Sequence, residues 1–271
     1  EIEQEWNWSH RYAMQPEILA YANFVADKLD LRRDISFGTR VTAADYDENR
    51  HGWRIATDAG ELRAHYVVMA TGCLSVPKVP DLPGLENFRG EVLHTADWPR
   101  EGCELAGKRV GIIGTGSSGV QAIPIIAREA GHLTVFQRTP NFSIPAWNGP
   151  LPEDQRKAMK GEYRNLRRKA RNSYAGDYAD EYYLTIMAMT PEQREAEFEL
   201  RWREGGFNYQ YAFRDMMEDP QANELAADFV RRKIRATVSD PITAEALCPK
   251  EHPIGSKRLC VDTGYYETFN R

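Results

Sequence analysis

Cysteine is scarce: Cys73, Cys103, Cys248 and Cys260 are the only four in 271 residues, and no two form a C-x-x-C pair. That spacing supplies neither a zinc site nor a disulfide framework, and a reducing cytoplasm is the compartment that suits it. Long apolar runs are missing too. None approaches the roughly 18 residues that a membrane-spanning helix needs, and no signal peptide opens the chain, so no membrane partner is expected. There is no excess of basic residues, since 35 Lys and Arg face 40 Asp and Glu for a formal net charge of -5. A chain so charged has no general field to draw in nucleic acid, which leaves a small molecule as the expected partner. The first position lacks methionine: the chain opens at Glu1 without an N-terminal cap and reads as a piece of something longer.

What is present suffices for one large core or two ordinary ones, with 42% of residues hydrophobic and 11% aromatic, and two domains are expected. Gln15-Pro16-Glu17 reads as a helix entry, and Ile18, Ala22, Val25 and Leu29 follow at spacings that predict one buried helix face. After Asp34 the period becomes two, with Ile35, Phe37, Thr39, Val41 and Ala43 on one side, and Trp53 and Ile55 continue beyond a turn; these predict strands of a sheet. The unbroken apolar run Tyr66 to Ala70, closed by Thr71-Gly72, predicts a central strand covered on both faces. From Ser75 to Arg100 the prolines Pro77, Pro80, Pro83 and Pro99 rule out a helix or central strand and mark a linker. Phe88, Gly90, His94 and Trp98 are more than a flexible linker needs. Their spacing alone leaves two readings open: anchors of an interdomain loop, with His94 bonded to a nearby carbonyl, or a functional element.

The most informative stretch is Val110 to Gly119, VGIIGTGSSG, an apolar strand that runs into a G-x-G-x-x-G turn and then a helix. Gly114 permits the tight turn, Gly116 lets a pyrophosphate approach the backbone, and Gly119 lets the helix pack close to the strand. Thr115, Ser117 and Ser118 complete the turn, and the N–H groups at the helix start are expected to hold phosphates. The helix carries Val120, Ile123 and Ala127 on one face, should bend at Pro124 and closes at Gly131; a second strand follows from Leu133 to Phe136. An NAD site places Asp or Glu at the end of that strand for the ribose hydroxyls, and here the position holds Arg138. A guanidinium offers a fork of donors to a dianion, so the expected ligand is NADP.

From about Leu151 to Thr237 the chain turns to long charged helical stretches, with helix starts at Pro191-Glu192 and Ala222. The basic run Arg156 to Arg171 is interrupted by Glu162 and reads as a solvated helix face rather than an RNA surface. The chain returns to an apolar strand through Lys257-Arg258-Leu259-Cys260-Val261, with two cations at its mouth, where phosphates or a reacting anion could meet them.

These residues form a recognisable set. FRGEVLHTADWP, Phe88 to Pro99, matches in full the F-x-G-x-x-x-H-x-x-x-W-P fingerprint of the Baeyer–Villiger monooxygenases, and the chain also resembles that family in EWNW, QPEI, GTGSSG, QRTP, KRL and YYETFNR. The resemblance spans essentially the whole chain. It implies an α/β flavoprotein with Rossmann-like FAD and NADP domains and a helical insertion. It implies that NADPH reduces FAD, that O2 adds to give a peroxyflavin, and that a ketone is converted to an ester or lactone. By the same resemblance Gly114 to Gly119 hold the NADP pyrophosphate, Arg138 and Thr139 the adenosine phosphate, and Lys257 adds a cation. Val41 stands where the FAD adenine meets backbone. Arg258 is the expected catalytic residue, stabilising negative charge beside the flavin in a site sheltered from water. His94 and Trp98 are expected to couple domains rather than to move protons.

The expected division is part of an FAD-binding domain over 1–74, the fingerprint linker over 75–105, an NADP-binding domain over 106–146 and 251–271, and helices inserted over 147–250. The family's FAD glycine turn is expected upstream of Glu1, leaving the FAD domain incomplete, and the acidic partner of Arg258 is not found. Oxidation of nitrogen or sulfur by a related flavin monooxygenase, and an NADP-binding fragment without activity, are the alternatives.

Overall fold

Strand β4, Arg109–Ile113, turns through the glycines into helix α2, Ser117–Glu129, and the chain comes back as β5, His132–Phe136, paired in parallel with β4. The structure is a computed structural model that describes residues 2–173, 176 and 184–271; the rest of the 151–237 stretch lies outside the described residues. The chain divides into two compact units, one running up to Trp6 and then over Ala13–Gly102, the other made of Asn7–Tyr12 and Cys103–Arg271.

In the first unit α1 spans Gln15–Lys28 with proline in its first turn, as predicted. Its apolar stripe is not buried: Ile18 and Leu29 are each 51% exposed, and the side chains that do find partners are Tyr21 and Phe24, both 5.4 Å from the Trp6 ring. The sheet is an antiparallel meander of β1 (Val41–Asp47), β2 (Gly52–Thr57) and β3 (Gly60–Ala64), in which Tyr46 lies opposite Trp53 and Ala44 opposite Ile55. The ladder starts at Val41, six residues later than the alternation suggested; Ile35 and Phe37 precede it, exposed and outside any strand. Gly38, at φ +63°, breaks the extended run there.

The predicted central strand at Tyr66 to Ala70 is not one. Those residues form no ladder, and Tyr66 and Val68 are 89% and 87% exposed. A strand covered on both faces needs neighbours on each side, and none of the described strands pairs with it. The 75–100 segment carries one turn of 3-10 helix, Leu85–Asn87, and otherwise no regular structure, as its prolines require.

The second unit holds the core. Short β6, Ser143–Pro145, pairs in parallel with β7, Cys260–Asp262. Between them come α3 (Glu153–Asn172), α4 (Pro191–Glu204), α5 (Asn208–Tyr211), α6 (Pro220–Thr237) and α7 (Pro241–Leu247). The basic helix α3 buries no residue, as expected of a solvated face. Helix α4 begins with a capping box, in which the Thr190 hydroxyl accepts from the Gln193 N–H and the Gln193 side chain accepts from the Thr190 N–H. Helix α6 begins two residues before Ala222, because Asp219 caps the N–H groups of Gln221 and Ala222. Phe198, Tyr209, Phe213 and Phe229 pack ring to ring at 5.1–6.3 Å, and the Tyr209 hydroxyl donates to the Ala226 carbonyl at 2.8 Å. Burying each such ring contributes about 1.5–3 kcal/mol. Val120 and Ile123 of α2 are fully buried in this same core with Ile254, Leu259 and Cys260, so the inserted helices and the glycine-turn helix share one hydrophobic interior.

Candidate functional site: a dinucleotide turn flanked by cations

The turn after β4 has the shape its glycines predict. Gly114 adopts φ +102°, a left-handed value that an L side chain resists, and its N–H donates to the Phe136 carbonyl at 2.9 Å. A Cβ on Gly119 would collide with the Gly114 carbonyl oxygen, whereas a Cβ on Gly116 would meet nothing within 4 Å. The third glycine therefore sets the close packing of turn on helix, and the second faces open space where a ligand can approach. Helix α2 starts without a side-chain cap and without an acidic residue in its first turn, leaving its first N–H groups and the positive end of its dipole to an anion.

Two further segments come to this turn. The buried Thr115 hydroxyl donates to the Thr139 carbonyl at 3.4 Å, which brings the segment after β5, with Arg138 on it, to the turn. Arg138 is exposed and has no ion pair among the described residues. On the other side α2 packs on β7: Gln121 donates to the Val261 carbonyl at 3.5 Å, and the Ser117 hydroxyl lies 3.6 Å from the Cys260 sulfur. Lys257 and Arg258, just ahead of β7, are exposed and likewise have no ion pair among the described residues. Three cations thus stand on segments that border an uncapped helix start, an arrangement suited to a phosphate-rich ligand.

Asn141, Cys260 and Gln121 knit the turn to its neighbours and were not identified from the sequence, where no spacing distinguishes them from other polar and apolar residues. The carboxylate of Asp262 is buried and pushed above the usual carboxylate range by that burial; the Ser143 hydroxyl and the Tyr265 N–H donate to it, holding β7 against β6. His252 sits edge-on to Phe142 at 5.5 Å, and neither of its ring nitrogens has a hydrogen-bond partner among the described residues.

Val41 and the fingerprint belong to the first unit. Val41 opens β1 opposite Thr57, at a bulge in the ladder, and is 57% exposed. His94 closes a tight turn, its carbonyl accepting from the Asp97 N–H at 2.9 Å and its Nδ1 from the Ala96 N–H at 3.1 Å. The imidazole thus accepts a backbone N–H rather than donating to a carbonyl. Among the described residues no helix is long and apolar enough to cross a membrane.

The family model for pyridine nucleotide-disulphide oxidoreductases matches residues 2–150. A Baeyer–Villiger monooxygenase of Pseudooceanicola batsensis is 43% identical over 274 residues, covering 100% of this chain and 50% of its own length. Among solved structures, an oxidised steroid monooxygenase bound to NADP superposes with a TM-score of 0.95 at 51% identity, covering 100% of this chain and 52% of that one. OTEMO in complex with FAD and NADP superposes with a TM-score of 0.95 at 39% identity, with the same coverage. The chain spans about half the length of the curated relatives it matches. It belongs to the pyridine nucleotide-disulphide oxidoreductase family, and the relatives that match it over its whole length include Baeyer–Villiger monooxygenases.

Proposed function

We propose that this chain is the NADPH-binding part of an FAD-dependent oxygenase that converts a ketone to an ester or lactone. The overall balance is ketone, O2, NADPH and a proton to ester, NADP+ and water. The observation that carries this reading is the uncapped start of α2 with Arg138 on the segment that meets the turn through Thr139. The names of the relatives supply the chemistry, and the NADP in the related structures agrees with the turn.

The residues present suit NADP. Gly114 shapes the turn, the N–H groups after it up to Gly119 receive the pyrophosphate, Arg138 and Thr139 the adenosine phosphate, and Lys257 adds charge. They do not by themselves suit FAD phosphates, because the sequence holds one G-x-G-x-x-G turn and that turn is taken. Val41 and Arg258 are the residues assigned to the flavin side. FAD, when bound, supplies electron transfer to oxygen. Arg258 offers several donors to the negative charge that develops on the reacting oxygen atoms. In this reading residues 1–74 are part of the FAD domain, 75–105 the fingerprint linker in which His94 and Trp98 couple domains, and 106–146 with 251–271 the NADP domain around the helices of 147–250.

The test is made on the full-length protein with added FAD. Ketone-dependent NADPH consumption and a product one oxygen atom heavier are expected. Arg258→Ala should keep the NADPH affinity and lose the oxygenated product. NADPH oxidation without any oxygenated ketone overturns the reading, and so does a wild-type protein that fails to bind NADPH.

A further inference from the structure

Cys260 is fully buried at the junction of three segments of the site: the first residue of α2, the loop after β5, and β7 itself. Its sulfur lies 3.2 Å from Asn141 Nδ2 and 3.6 Å from Ser117 Oγ. The amide nitrogen of Asn141 can only donate, so sulfur is the acceptor there. The one proton of the thiol is then left for the Ser117 oxygen. A hydroxyl whose oxygen already accepts keeps its own hydrogen for something else. Among the described residues Ser117 has no other side-chain hydrogen-bond partner, and it is the first residue of the helix whose N–H groups face the proposed pyrophosphate.

We infer that Cys260 is a positioning residue: its thiol, held by Asn141, donates to Ser117 and turns the Ser117 hydroxyl hydrogen outward to a phosphate oxygen of the dinucleotide. Burial pushes the Cys260 thiol above its usual range, which keeps it the protonated donor this role needs. Because Cys260 lies two residues beyond Arg258, the same contact ties the strand behind that arginine to the helix start. The inference rests on the NADP reading of the turn and assigns it a residue that only acts through another.

The experiment measures the NADPH dissociation constant and the melting temperature of wild type, Cys260→Val, Cys260→Ser, Ser117→Ala and the double variant Ser117→Ala/Cys260→Val. Valine fills the buried space without a donor, and serine restores a donor. Cys260→Val should melt near wild type and bind NADPH roughly three- to tenfold more weakly, the loss expected of a weakened charge-assisted hydrogen bond. Cys260→Ser should recover most of that affinity. Ser117→Ala should match Cys260→Val, and the double variant should be no weaker than either alone, as for two residues that act as one unit. The inference is overturned if wild type binds NADPH and Cys260→Val binds it equally well, or if the two losses multiply. If Cys260→Val melts far lower, the Cys260→Ser affinity and the Ser117→Ala cycle in that background decide by the same criteria. A wild-type protein without NADPH affinity overturns the NADP reading itself, and this inference with it.

Discussion

Thr115 Oγ1 donates to the carbonyl oxygen of Thr139 across 3.4 Å, a long contact that brings the glycine turn beside the segment that carries Arg138. The exposed Arg138 guanidinium is the group proposed to read the extra phosphate. Arg138→Ala should weaken NADPH binding roughly 10- to 100-fold, as loss of charge-assisted phosphate contacts does, and leave NADH binding nearly unchanged. Titration calorimetry with both cofactors measures the ratio. An equal loss for NADH would show that Arg138 does not read the extra phosphate.

Gly119 is the tightest point of the fold near the site, since an added methyl would meet the Gly114 carbonyl. Gly119→Ala is expected to cost about 1–3 kcal/mol of stability, in the manner of an overpacked interior, and to displace the helix start. Chemical denaturation gives the first quantity and NADPH affinity the second. A variant with unchanged affinity would mean that the helix start tolerates displacement.

The imidazole of His252 is held below its ordinary range by burial and by the Lys257 charge, with no hydrogen-bond partner among the described residues. As pH falls through about 6.5 the unfolded chain takes up a proton that the folded chain resists, so stability falls toward acid and recovers above that pH. His252→Phe keeps a ring against Phe142 and removes both unpaired nitrogens. Its melting temperature should drop less between pH 7.5 and pH 5 than that of wild type; parallel curves would remove His252 as the cause.

Thr190→Ala deletes one half of the capping box at the start of α4. About 1 kcal/mol of stability should be lost, as at other helix N-caps, with NADPH affinity unchanged. Thermal unfolding followed by circular dichroism, with a cofactor titration alongside, checks both.

Residues whose structure is decided locally were legible. The strand, turn and helix from Val110 onward, the start of α4 at Pro191 and the proline-rich 75–100 segment need only nearby chemistry, and all stand as their spacing predicts. The run at Tyr66 to Ala70 was misread because apolar content records a wish to be covered, and coverage depends on strands elsewhere. The stripe on α1 failed for the same reason. The main core lies in the charged helices, where Phe198 and Trp202 stand four apart, a spacing that puts both on one helix face. At the site, glycines and arginine announced themselves; Cys260 and Asn141 did not, because their contacts close over 119 residues of chain.

Residues 7–12 interrupt the first unit in the chain yet are built into the second. Tyr12 and Asn148 exchange two hydrogen bonds, backbone N–H to side-chain carbonyl and side-chain amide to backbone carbonyl, and Arg11 donates to the Glu204 carbonyl. These partners lie 136 and 193 positions further on. A ribosome adding about 5–20 residues per second needs on the order of 7–40 s to make them. The segment waits for its place until those partners have been made, so in translation the second unit closes around a segment delivered before it.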